Sequence, residues 1–126
     1  MKKIVAKCGG SNLKKKEDIL KLVNVIKAYN RPMVIVISAF YGITNQLIKA
    51  MEEAKKDENQ IKHLINHLKK LKEETIFENF EDKNLAKQTL QKVENQITKL
   101  ERYFTGIHYI GEVPNFVEDV VLSYGE

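Results

Sequence analysis

The sequence has a single cysteine, Cys8, in 126 residues. It has no partner for an intrachain disulfide and no second thiol for a zinc cluster, which excludes a disulfide-stapled scaffold and suits a reducing compartment. Arginine is nearly as scarce, with only Arg31 and Arg102. Guanidinium is the group best suited to bidentate recognition of phosphates and base edges, so no nucleic acid is expected as a partner. Long apolar runs are missing too. The longest, Met33 to Ile37, falls far short of the roughly 20 residues that a bilayer span takes, so no membrane association is expected. Lys2-Lys3 is followed only by Ile4, Val5 and Ala6 before Lys7, whereas a secretory core takes about 7–15 apolar residues. A cytoplasmic protein is the expectation. No internal repeat or low-complexity linker divides the chain.

What is present suits one domain or part of one. Hydrophobic residues make up 43% and charged residues 30%, enough apolar material for a core and too much for a disordered chain. The net charge of +4 is unevenly spread. Residues 1–31 hold nine Lys/Arg against two Asp/Glu, residues 49–102 twelve against eleven, and residues 103–126 none against four. The basic excess is therefore N-terminal.

Hydrophobic periodicity changes along the chain. Residues 2–7 and 33–38 are short runs rich in Ile and Val, the second opened by Pro32, and read as strands. Between them Ile19, Leu22, Val23, Ile26 and Tyr29 recur at helical spacing. The spacing predicts a β-α-β unit with parallel strands and a helix over 14–29. From Thr44 onward three apolar stripes follow: Leu47, Met51 and Ala54; Ile61, Leu64, Ile65, Leu68 and Leu71; then Leu90, Val93, Ile97, Leu100 and Phe104. They predict three helices packed on one another, with Asp82 capping the third and Gly106 stopping it. Pro114 opens a last helix with Phe116, Val117, Val120, Val121 and Tyr124 on its apolar face.

The chemistry concentrates where the strands end. Lys7-Cys8-Gly9-Gly10-Ser11 leads from the first strand toward the first helix, where backbone N–H groups and the helix dipole favour an anion. Two readings stand: a phosphate cradle with Lys7 as a mobile cation, or a plain tight turn. The spacing matches neither a Walker A loop nor a dinucleotide fingerprint. The second strand ends in Ser38-Ala39-Phe40-Tyr41-Gly42-Ile43-Thr44-Asn45. Its individual residues also serve as strand terminator, turn and N-cap. In a parallel sheet both loops emerge at the same carboxyl edge and form one site.

Together these segments resemble the aspartokinases of the amino acid kinase family. Lys7-Cys8-Gly9-Gly10-Ser11-Asn12 is similar to their Lys-Phe-Gly-Gly-Thr-Ser, with Cys8 for Phe and the hydroxyl retained at Ser11. Ser38 to Asn45 is similar to their Ser-Ala-x-x-Gly-Ile/Val-Thr-Asn/Asp, and Ser123-Tyr124-Gly125-Glu126 to their Ser-Phe/His-Gly-Glu. The resemblance implies an α/β fold, the N-terminal part of an αβα sandwich, as a single partial domain over 1–126 with a helical insertion at about 46–105. It implies transfer of the ATP γ-phosphoryl group to the side-chain carboxylate of L-aspartate, with Mg2+ accompanying ATP. Carried over, Lys7 stabilises the transferring phosphoryl group, Gly9, Gly10 and Ser11 cradle phosphate oxygens, and Ser38, Thr44 and Glu126 hold aspartate. A carboxylate is already ionised at neutral pH, so no general base is required. The family's domain continues beyond its Gly-Glu motif into a nucleotide-binding half, so the chain is expected to be a fragment inactive alone. A sheet left incomplete exposes an edge and a face, and a homo-oligomer is expected.

His63 and His67 fall on one helix face opposite the apolar stripe, with Glu74, and read as solvated rather than as metal ligands. His108 reads as a packed residue and Lys14-Lys15-Lys16 as a solvated basic turn. The alternative to a kinase is a non-enzymatic interaction module in which residues 46–105 bind a partner and the strands brace them.

Overall fold

The computed structural model describes residues 2–126. Its two strands, β1 (Ile4–Cys8) and β2 (Met33–Ile37), are parallel and paired from Ile4 with Met33 to Cys8 with Ile37. Pairing begins just after Pro32, which has no N–H to give, and one further bond, Ser38 N–H to the Cys8 carbonyl at 3.0 Å, extends the ladder past β2. The crossover is α1 (Lys16–Tyr29), which ends at Asn30 in the left-handed region at φ +42°, a conformation that asparagine tolerates. The helix starts two residues later than the expected 14 because the N–H groups of Lys14 and Lys15 both donate to the Asp18 carboxylate, at 3.0 and 2.9 Å.

Strand alternation separates two faces. Ile4, Ala6, Cys8, Met33 and Ile35 turn toward α1, while Val5, Lys7, Val34 and Val36 are exposed. No residue of α1 is fully buried, and a cavity of about 490 Å³ lies between its apolar stripe and the sheet. Its first turn is instead tied to a distant helix. The Lys16 ammonium meets Glu74 at 3.3 Å and Glu78 at 2.8 Å. Both carboxylates are partly exposed, so solvent screens the two pairs and they hold the helix in place more than they stabilise it. The helix face expected to be solvated around Glu74 therefore carries a contact with α1, although His63 and His67 are exposed.

The core lies among the remaining helices, α2 (Ile43–Ala54), α3 (Glu58–Asn79), α4 (Lys83–Ile110) and α5 (Asn115–Ser123). Leu47, Met51 and Ala54 of α2 meet Ile61, Ile65 and Leu68 of α3, and Ile97, Leu100, Phe104 and Ile107 of α4 close over them. Burying a side chain such as Phe104 contributes about 1.5–3 kcal/mol. Asp82 caps α4 as expected, accepting from Asn84 N–H at 2.9 Å and Leu85 N–H at 3.1 Å.

Gly106 does not stop α4. The helix runs through it to Ile110 and ends at Gly111, whose φ of +80° is the left-handed stop. A glycine inside a helix costs only about 1 kcal/mol, which burial of Ile107 outweighs. His108 adds a hydrogen bond between its Nδ1 and the Ala54 carbonyl at the end of α2, at 2.8 Å, so the expected packed role holds. In α5, Val117 and Val121 are buried but Phe116 faces outward, so the apolar face is narrower than the sequence suggests. No helix of the described residues is long and apolar enough to cross a membrane.

Candidate functional site

The loop after β1 forms a short 3-10 turn at Gly10–Asn12 rather than feeding straight into α1. Asn12 N–H returns to the Gly9 carbonyl at 2.9 Å, and the Asn12 side chain accepts from Gly9 N–H at 3.2 Å. The amides of Gly10 and Ser11 bond to none of the described residues, so these two of the three expected phosphate-binding amides are open. The dipole end of α1 is not available to a ligand in the way the sequence suggests. Asp18 occupies it, and the N–H of Lys15, followed by that of Lys14 and the Lys21 ammonium, holds its carboxyl below the usual carboxylate range.

The second loop lies directly on the first. Tyr41 N–H donates to the Leu13 carbonyl at 3.1 Å, and a β-carbon on Gly10 would stand 3.4 Å from the Ala39 carbonyl oxygen. The close approach of the two backbones depends on a glycine at that position. Gly42, at φ +83°, then turns the chain into α2 as its N-cap, which leaves Thr44 and Asn45 exposed in the first turn with no capping role. The Lys14 ammonium lies 4.8 Å from the Tyr41 ring centre. With Lys16 paired to Glu74 and Glu78 as well, the basic turn is not simply solvated.

The expected site residues fall into two groups. Ser11 and Asn12 line the cavity of about 490 Å³ beside β1; Lys7 borders it too, but strand alternation puts its side chain on the opposite, exposed face. Ser38 and Glu126 line another, of about 230 Å³, with Phe40, Lys72 and Gly125. Thr44 lines neither of these two cavities. Gly125 is buried against Leu47 and Ile43 of α2, so the Gly-Glu segment packs on the helix that the second loop opens.

The model of the amino acid kinase family matches residues 2–125. The chain belongs to the amino acid kinase family. A kinase-like function follows from that membership. No curated protein matches the chain.

In this amino acid kinase chain, Lys72 is the residue that sequence reasoning passed over. It lines the cavity of Ser38 and Glu126, and its ammonium sits 4.3 Å from the Phe40 ring centre. Burial pushes its pKa below the ordinary lysine value. The signal was present in the period: Lys72 stands four residues after Leu68 and seven after Ile65, on the apolar stripe of α3.

Proposed function

We propose that the chain is the substrate-binding portion of an aspartokinase, which transfers the γ-phosphoryl group of ATP to the side-chain carboxylate of L-aspartate to give 4-phospho-L-aspartate. The observation that carries the reading is the meeting of Ser38 with Gly125-Glu126 in one cavity, at the carboxyl edge of a parallel sheet. Two of the three sequence blocks that resemble aspartokinases are thereby neighbours in space. Glu126 suits the ammonium of an amino acid and Ser38 offers it a hydroxyl, while Thr44 closes the site from α2 only if that turn moves toward the ligand.

The reacting carboxylate needs no base, so catalysis reduces to positioning and charge neutralisation. On this reading Lys7 and the open amides of Gly10 and Ser11 receive phosphoryl oxygens. Magnesium belongs to the substrate, as MgATP, and neutralises phosphate charge. Adenine and ribose are assigned to a nucleotide-binding half outside residues 1–126, which would also complete the αβα sandwich over the exposed face of β1 and β2. A helical interaction module has no use for two strand-end loops hydrogen-bonded to each other at a shared edge, which disfavours the alternative.

Calorimetric titration with L-aspartate tests the reading. Saturable binding that Ser38→Ala weakens is expected. Absence of aspartate binding in a folded chain that binds another amino acid would overturn it.

A further inference from the structure

We propose that in the 126-residue chain the exposed sheet face of one copy docks on the corner between α4 and α5 of a second copy, an apolar and basic surface against an apolar and acidic one. On the face, the register sets Val5 beside Val34 and Lys7 beside Val36, all of them exposed, and Lys3 continues the alternation just before β1. No acidic residue occurs in residues 1–16 or 19–51, so nothing in either strand offsets the lysines.

The corner is the reverse. Tyr109 and Phe116 are 80% and 70% exposed, and with the exposed Ile110 they flank the turn at Gly111. Ile107, Val113 and Val117 pack on the core from the same stretch, so the outward side chains stand on an anchored support. Exposed Glu112, Glu118 and Asp119 lie among them, and residues 103–126 hold no Lys or Arg. Neither set of charges is neutralised within the chain. The ion pairs among the described residues are made by Lys16, Lys21, Lys49 and Lys55.

Charge decides the occupant. Face against face would set lysines against lysines, and corner against corner would set carboxylates against carboxylates. Face against corner places opposite signs around an apolar centre that holds two aromatic rings, the pattern of a specific interface. One chain carries both halves, so a second copy is sufficient. The contact joins unlike surfaces, and copies linked in this way close into a ring or run on as a chain. The nucleotide-binding half assigned above would take the same face, so the contact belongs to the 126-residue chain, and its failure leaves the aspartokinase reading untouched.

Sedimentation velocity tests the contact on the wild type and on two variants of exposed residues: a face variant, Val5→Lys with Val34→Lys, and a corner variant, Tyr109→Ser with Phe116→Ser. The wild type is expected to associate as its concentration rises, and each variant alone to need about tenfold or more protein for the same degree of association. Mixed, the two variants should form a one-to-one pair, because each keeps the surface that the other has lost. Added salt should weaken the wild-type association, since the charges on both rims are exposed and screened.

A wild type that stays monomeric, or whose association salt does not weaken, overturns the proposal without recourse to any variant. Either variant, folded by circular dichroism, that associates like the wild type also overturns it; for the corner variant that result would assign the contact to face-to-face or strand-edge pairing. So does a mixture of the two folded variants that forms no pair.

Discussion

Gly125 is packed against Leu47 so closely that a β-carbon on the glycine would stand 3.3 Å from Leu47 Cδ1 and 3.2 Å from the Leu122 carbonyl oxygen. Leu47 is only 1% exposed and cannot retreat. The Gly-Glu segment is thus seated on the core that α2 builds. Gly125→Ala is expected to cost about 1–3 kcal/mol by overpacking and, on the proposed reading, to weaken amino-acid binding at Glu126. Urea unfolding measures the first effect, and an unchanged midpoint would show that the segment moves aside without cost.

Gly42 presents the opposite case, with nothing within 4 Å of an added β-carbon but a φ of +83°. The penalty for a side chain is conformational alone. Gly42→Ala should cost about 1–2 kcal/mol, and Gly42→Asn less because asparagine tolerates that region. Equal losses for the two variants would point to a steric cause instead.

Asp18 supplies a pH-dependent term. Its pKa is depressed in the folded chain by the N–H groups of Lys15 and Lys14. A depressed carboxylate stabilises the fold above its unfolded value of about 3.9, and that contribution fades as pH falls through the lower folded value. Wild type should be more stable than Asp18→Ala at pH 7, and the gap should close on acidification below about pH 4. A gap independent of pH would assign the effect to helix propensity.

Lys7 stands on the exposed face of β1, next to the turn that carries the open amides. On the proposed reading, Lys7→Ala in the enzyme with its nucleotide half should lower kcat on the order of 10²-fold with a smaller change in aspartate KM, because the charge acts on the transition state. An unaltered kcat removes Lys7 from the mechanism. The 126-residue chain alone should give no aspartyl phosphate trapped as the hydroxamate.

Val5 is 70% exposed and Val34 51%, on a sheet face that nothing among the described residues covers. An apolar face next to open strand edges invites pairing between copies. Light scattering across a concentration series should show a mass above the monomer that falls in the Val5→Lys, Val34→Lys double variant. A constant monomer mass would count against self-association through this face.

Local chemistry made much of the fold legible in the sequence. The β-α-β crossover, the packing stripes of α2 to α4 and the Asp82 cap follow from periodicity, strand length and hydrogen-bond valence, which act over a few residues. Only the tertiary structure decided where such local signals lose. Gly106 reads as a stop, yet burial of Ile107 and the His108 bond to Ala54, 54 positions away, carry the helix through it. Thr44 reads as a cap or a ligand, yet the positive φ of Gly42 takes the capping position. The dipole end of α1 reads as open to phosphate until Asp18 folds back onto it. Lys72 was hidden in a helix stripe because a lysine there is ordinary until the chain brings Phe40, Ser38 and Glu126 around it. Each of these outcomes depends on which distant group arrives beside a residue, and that is set by packing rather than by neighbours in the chain.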